Sequence, residues 1–314
     1  PNDVEVLRVD ALDAVQPVEW TLPASKSHAI RWLQMAALGA SSVTLRGIAG
    51  LGDDACSMRR ALEQLGLKVE EDDDAWHLHP PASPRRPSAL LHLGNSGTAL
   101  RLVAALTSHL DQPAMLDGDA SLRRRGLGDL ADVLEQQGVR LRAGDAHVGL
   151  PVDLHGPWRQ GTAEIVVRRD RSSQPASALL LASSLQSTDQ EVRFEGEARS
   201  SLHLSLSATI ASACGWPGRL DDDGMHLPRW EVQAPNEVLL PGDASMAAFA
   251  LLWVRSTGGA VHLKRWPQPE DALGCDLLAQ LAPALGVAWS DEGALTTVES
   301  NTEPLDVDLC DAND

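Results

Sequence analysis

The sequence predicts an α/β fold made of a repeated strand, helix, strand, helix, strand, strand unit, and two observations carry that prediction. Glycines at 66, 138, 215 and 286, spaced by 72, 77 and 71 residues, each close an apolar helical stretch and lead into two short strands joined by an acidic or glycine-bearing turn. Ahead of each stands another helix, entered through a loop of small polar residues. These loops are Pro23-Ala-Ser-Lys-Ser27, Leu93-Gly-Asn-Ser-Gly-Thr98, Arg171-Ser-Ser-Gln-Pro175 and Pro241-Gly-Asp-Ala-Ser245. Self-similarity at a fixed period marks a repeated architecture, here about 73 residues per unit and four units in 314 residues.

Each element follows from local chemistry. The glycine after Ala61-Leu-Glu-Gln-Leu, and those after the three matching stretches, relieve the left-handed position just past a helix end. Turns such as Glu71-Asp-Asp-Asp74 and Asp221-Asp-Asp-Gly224 read as hairpin connections. Behind the first loop, Ala29, Trp32, Leu33 and Ala36 recur at helical spacing, which predicts one face on a core. Prolines directly after apolar strands, at Leu22-Pro23 and Leu240-Pro241, predict the points where the chain crosses between domains.

With 43% hydrophobic and 22% charged residues the chain is of ordinary globular composition, which argues against disorder or a coiled coil. Lys+Arg 26 against Asp+Glu 44 leaves a net charge of −18, with only three lysines, Lys26, Lys68 and Lys264. Such a field repels nucleic acid and anionic membranes, so neither is expected as a partner. It also reads as adaptation to a salt-rich cytoplasm, an expectation that unchanged folding and solubility in dilute buffer would contradict. The four cysteines are far apart and form no C-x-x-C, so neither zinc nor a disulfide framework is signalled. The apolar stretch 247–254 is far short of a membrane span, and no signal-peptide pattern opens the chain. A cytoplasmic location and a monomeric state are the expectations.

The helix entrances are where chemistry gathers. Helix N-termini present unpaired N–H groups and a positive dipole end, so they attract anions. Cationic residues stand beside them: Lys26 and Arg31 at the first, Arg101 and Arg125 near the second, and Arg168, Arg169 and Arg171 before the third. In a strongly acidic chain this predicts a local pocket for a small, multiply anionic ligand, phosphate or carboxylate. Arg123 and Arg124 read instead as a solvated face. The loop at Gly94–Gly97 is not a Walker A loop, lacking its Gly-Lys-Ser/Thr.

The order Pro23-x-Ser-Lys-Ser-x-x-x-Arg31, Leu93-Gly-Asn-Ser-Gly-Thr-Ala-Leu-Arg101, Asp117-Gly118 with Arg125, Ser172-Ser-Gln174 and Gly242-Asp-Ala-Ser245 resembles the 5-enolpyruvylshikimate-3-phosphate synthase family. The resemblance implies a two-domain enolpyruvyl transferase fold of six βαβαββ units, of which about four are present. Residues 23–240 would be a complete three-repeat domain, and 1–22 with 241–314 part of the second. Six units would need roughly 440 residues. In the family the missing stretch supplies further arginines and lysines for phosphoenolpyruvate and a glutamate for proton transfer.

The implied reaction moves the enolpyruvyl group from phosphoenolpyruvate to the 5-hydroxyl of shikimate 3-phosphate, in aromatic amino acid biosynthesis, and implies no metal or organic cofactor. By the same resemblance, Lys26, Ser27, Arg31, Ser172, Ser173, Gln174, Ser200 and Asp314 face shikimate 3-phosphate. Lys26, Asn95, Gly97, Arg125 and Gln174 face phosphoenolpyruvate. Lys26 and Asp314 would be catalytic, with Asp308 and Asp311 as alternative bases. Three positions depart from the family pattern: Ile30 for asparagine, Gly126 for proline, and His203 for tyrosine. Two other readings stay open. One is UDP-N-acetylglucosamine enolpyruvyl transferase, disfavoured by the Ser-Ser-Gln motif and the absence of a cysteine near Arg123 to Arg125. The other is a non-catalytic anion-binding remnant of the fold.

Overall fold

The computed structural model describes residues 16–143, 148–158, 164–197, 201–268, 271, 273, 275–290 and 293–297. The chain runs β1 (Val18–Thr21), α1 (Lys26–Leu38), β2 (Val43–Arg46), α2 (Asp53–Gln64), β3 (Lys68–Glu71) and β4 (Ala75–His79). It continues β5 (Leu91–His92), α3 (Gly97–Thr107), β6 (Ala114–Asp117), α4 (Ala120–Arg125), α5 (Asp129–Gln136), β7 (Arg140–Ala143) and β8 (Val152–His155). Next come β9 (Ile165–Arg168), α6 (Gln174–Ala182), β10 (Gln190–Glu195), α7 (Ser201–Ala213), β11 (Arg219–Leu220) and β12 (Gly224–Leu227). The last are β13 (Glu237–Leu239), α8 (Ala247–Thr257), β14 (Ala260–Lys264), α9 (Cys275–Leu281), β15 (Val287–Trp289) and β16 (Ala294–Thr297). Gly66, Gly138, Gly215 and Gly286 all carry positive φ, 111, 77, 91 and 70°, as their place beyond helix ends requires. Each is followed by an antiparallel hairpin.

These strands form four four-stranded sheets, ordered β5-β6-β8-β7, β9-β10-β12-β11, β13-β2-β4-β3 and β1-β14-β16-β15. In the last two the first strand is exchanged. β1 pairs in parallel with β14, Val18 against Val261, and β13 pairs in parallel with β2, Glu237 against Thr44. The chain therefore passes twice between these sheets, at Leu22-Pro23 and Leu240-Pro241. The two passages run side by side, joined by Ser25 N–H to Pro241 O at 2.9 Å and Asp243 N–H to Pro23 O at 2.8 Å.

The apolar side chains separate accordingly. A large cluster runs from Ala24 to Leu240, and a smaller one holds Leu22 with residues of α8, β14, β15 and β16. The spacing in α1 predicted a single buried face. Instead Ser27 to Ala37 are all buried, because α1 packs against α2, α3, α6 and α7 rather than lying on a surface. α3 and α6 are buried nearly as completely. α8 differs: it rests on β14, β15, β16 and α9, and leaves Phe249 and Leu252 exposed. Among the described residues no helix is long and apolar enough to cross a membrane.

Candidate active site

Three buried helices, α1, α3 and α6, begin at one cavity of about 300 Å³. Their first residues line it: Lys26 and Ser27, Gly97 and Thr98, and Gln174 with Ser172 and Ser173 before it. Small polar residues begin these helices because a bulky side chain would fill the space in front of the N–H groups. Helix capping alone does not account for all three serines that precede them. Ser96 accepts from Ala99 N–H at 3.2 Å, whereas Ser25 and Ser173 make no side-chain cap. The Ser25 hydroxyl lies 2.9 Å from Nδ1 of His28 instead.

The rest of the lining sets the field. Among the described residues, Lys26, Arg31, Arg125 and Arg171 face the cavity with one carboxylate, Asp54. The pocket is thus positive in a chain of net −18. Asp54 was not evident from sequence, where Asp53-Asp54 is an ordinary acidic first turn of a helix. His203, Ile30 and Asn95 complete the wall.

Arg31 reaches the pocket from a nearly sealed position, 1% exposed. Its Nε donates to Ser207 Oγ at 2.8 Å, Nη1 to Ser27 O at 2.9 Å and Nη2 to His203 O at 3.0 Å. Arg125 is exposed, and its Nη2 donates to both the carbonyl and the side-chain oxygen of Asn95. Arg171 lies 3.7 Å from Asp129 and is mostly exposed.

Four basic residues take places that their spacing did not indicate. Arg101 is no lip residue but lies beneath Gly97, where burial and the neighbouring Arg125 charge pull its pKa down to about 10. Arg168 is exposed near Asp170, and Arg169 packs over the Phe194 ring and donates to Asp222 O; neither lines the cavity. The run at 123–125 ends the short helix α4. Arg123 there is more than a solvated residue: its fork grips Asp117, and that hydrogen bond holds the Asp117 carboxyl below the usual carboxylate range.

Gly97 marks the tightest approach. A Cβ there would stand 3.0 Å from Arg101 Nη1 and 3.1 Å from Arg125 Nη1, so only glycine leaves both guanidinium groups in place. Gln174 is tied at both ends of its amide, accepting from Arg101 Nη1 at 2.9 Å and donating to Thr98 Oγ1 at 3.2 Å. Of the residues the family resemblance implies, Lys26, Ser27, Arg31, Asn95, Gly97, Arg125, Ser172, Ser173 and Gln174 converge on this cavity. Ser200, Asp308, Asp311 and Asp314 lie outside the described residues. No group of three or more His, Cys, Asp or Glu is placed to hold a metal among the described residues.

Comparison with known proteins agrees with the motif order. A family model described as EPSP synthase (3-phosphoshikimate 1-carboxyvinyltransferase) matches residues 15–314. A 3-phosphoshikimate 1-carboxyvinyltransferase of Pseudomonas syringae pv. syringae is 31% identical, covering 87% of this chain and 67% of that protein. One of Methanocorpusculum labreanum is 28% identical, covering 93% of this chain and 68% of that protein. The solved EPSP synthase of Acinetobacter baumannii superposes with a TM-score of 0.71 at 21% identity, over 90% of this chain and 65% of that one. The chain thus spans about two thirds of the length of these proteins. Its α/β architecture is that of the solved synthase, and a family match that begins at residue 15 and runs to the last residue makes the chain a member of the EPSP synthase family.

Proposed function

We propose that the pocket binds shikimate 3-phosphate and phosphoenolpyruvate, and that the chain acts in enolpyruvyl transfer between them. The observation that carries this reading is the convergence of three helix N-termini with Lys26, Arg31, Arg125 and Arg171 on one small cavity. A doubly anionic pair of substrates needs that concentration of donors and positive charge. Ser27, Arg31, Ser172, Ser173 and Gln174 take the shikimate side, with Ser200 and Asp314. Asn95, Gly97, Arg125 and Gln174 take the phosphoenolpyruvate side, and Lys26 stands between the two.

In the reaction the substrate 5-hydroxyl oxygen bonds to C2 of phosphoenolpyruvate as a proton adds to C3. The C2–O bond to phosphate then breaks, and a proton leaves C3 to restore the double bond. Lys26 and Arg125 stabilise negative charge on the carboxylate and the departing phosphate. Asp314, or Asp308 or Asp311 in its place, takes the hydroxyl proton. We place the cleft between a domain of residues 23–240 and one of 1–22 with 241–314, a division favoured by the two separate apolar clusters. Acting on soluble metabolites, the protein belongs in the cytoplasm as a monomer.

Phosphate release from the two substrates together, absent when either is omitted, tests the reading. A second reading is an anion-binding form of the fold without turnover. That form gives a calorimetric isotherm for shikimate 3-phosphate and no phosphate release. Absence of both binding and turnover would sink both readings.

A further inference from the structure

We propose that Arg101, which touches no ligand in the reading above, is a positioning residue for the phosphoenolpyruvate half of the pocket. Its guanidinium forms the floor under Gly97. Nη1 donates to Gly97 O at 3.1 Å and to Gln174 Oε1 at 2.9 Å. Nε donates to Leu127 O at 3.1 Å and Nη2 to Gly126 O at 3.1 Å. One rigid fork therefore ties together three separate pieces of the site: the start of α3, the start of α6, and the turn that follows Arg125.

Each tie fixes something the pocket uses. The bond to Gly97 O sets the height of the turn against which a ligand rests. The bond to Gln174 Oε1 leaves its amide nitrogen facing Thr98. The bonds to Gly126 and Leu127 anchor the main chain directly after Arg125, whose side chain is held from the other direction by Asn95. A lysine has one ammonium group on a flexible stem and cannot hold three elements in a plane. Burial disfavours the charge of Arg101, as its lowered pKa records, so a bound anion just above it gains from a cation already in place.

The inference rests on the substrate reading above, and the test separates the two. Arg101→Lys is measured beside the unaltered protein for KM and for calorimetric affinity toward each substrate. A positioning role predicts a rise of about tenfold or more in the constant for phosphoenolpyruvate, with that for shikimate 3-phosphate changed less than about threefold. Equal changes in both constants, or none in either, overturn it. If Arg101→Lys does not fold, Arg101→Gln, which brings no charge to bury, carries the test. Its amide reaches fewer of the four acceptors of the fork and should shift the phosphoenolpyruvate constant in the same selective way, and an unselective effect overturns the proposal. A lack of binding in the unaltered protein overturns the substrate reading and this proposal with it.

Discussion

Arg31 on α1 donates from Nε to the hydroxyl of Ser207 on α7 at 2.8 Å, and that hydroxyl lies 2.9 Å from the hydroxyl of Ser177 on α6. A residue at the edge of the ligand cavity is thereby also a tie between three buried helices. Arg31→Ala should therefore cost stability as well as affinity. Three hydrogen bonds from a buried charged group are lost, and the acceptors stay behind in the core. A loss of about 2–4 kcal/mol is expected in urea unfolding. A change below about 0.5 kcal/mol would show that the helices do not depend on it.

Lys26 is in the opposite situation. It lines the cavity from the first position of α1 and is half-buried, not sealed. Lys26→Ala should leave the thermal midpoint nearly unchanged while reducing turnover on the order of a hundredfold or more. A variant with near-normal rate would remove the lysine from the mechanism.

Gly97→Ala tests the crowding above the two arginines. The new methyl group would press on Arg101 Nη1 and Arg125 Nη1, and both guanidinium groups must shift by some tenths of an ångström. The expected result is a rise of about tenfold or more in KM for phosphoenolpyruvate with little change for shikimate 3-phosphate. Equal effects on both would place Gly97 elsewhere in the reaction.

His109 gives a pH dependence remote from the pocket. It follows α3, stacks on Trp158 with ring centroids 4.5 Å apart, and burial pulls its pKa down from 6.5 to about 3. The folded protein thus keeps the ring neutral where the unfolded chain binds a proton. Its contribution to stability is complete above about pH 6.5 and is lost as the pH falls toward about 3. His28, its pKa also lowered by burial against the pull of Asp271, acts in the same direction. His109→Phe keeps an aromatic ring against Trp158 and should flatten the acid limb of a plot of melting temperature against pH. An unchanged acid limb would assign it to other groups.

The parts of this molecule that sequence made legible are those coded locally. Small polar residues open α1, α3 and α6, glycines such as Gly138 close helices, and acidic turns join hairpins, each within a few residues of the effect. Of the nine cavity residues that the motifs marked, Lys26, Ser27, Gly97, Ser172, Ser173 and Gln174 stand at or just before helix starts, where direction is fixed by the helix itself, whereas Arg31 reaches the cavity from within α1 and Arg125 from the end of α4. Arg101 was misread as a lip residue because one helical turn from Gly97 gives a distance along the axis but not whether the side chain turns inward. Asp54 gave no signal at all, since an acid in a first turn has a sufficient helical reason. The all-round burial of α1 was hidden because it depends on α3, α6 and α7, whose packing no local pattern records.

The exchange of β1 and β13 bears on how the molecule comes into being. The sheet holding β2, β3 and β4 stays open at one edge until residues 237–239 have been made, and β1 waits for residues 260–264 before it has a partner. Assembly piece by piece from the N-terminus, the usual course during synthesis, is therefore closed to these two sheets. Strand edges stay bare until the distant residues that cover them have been made, which leaves the growing chain open to pairing with other chains in the meantime.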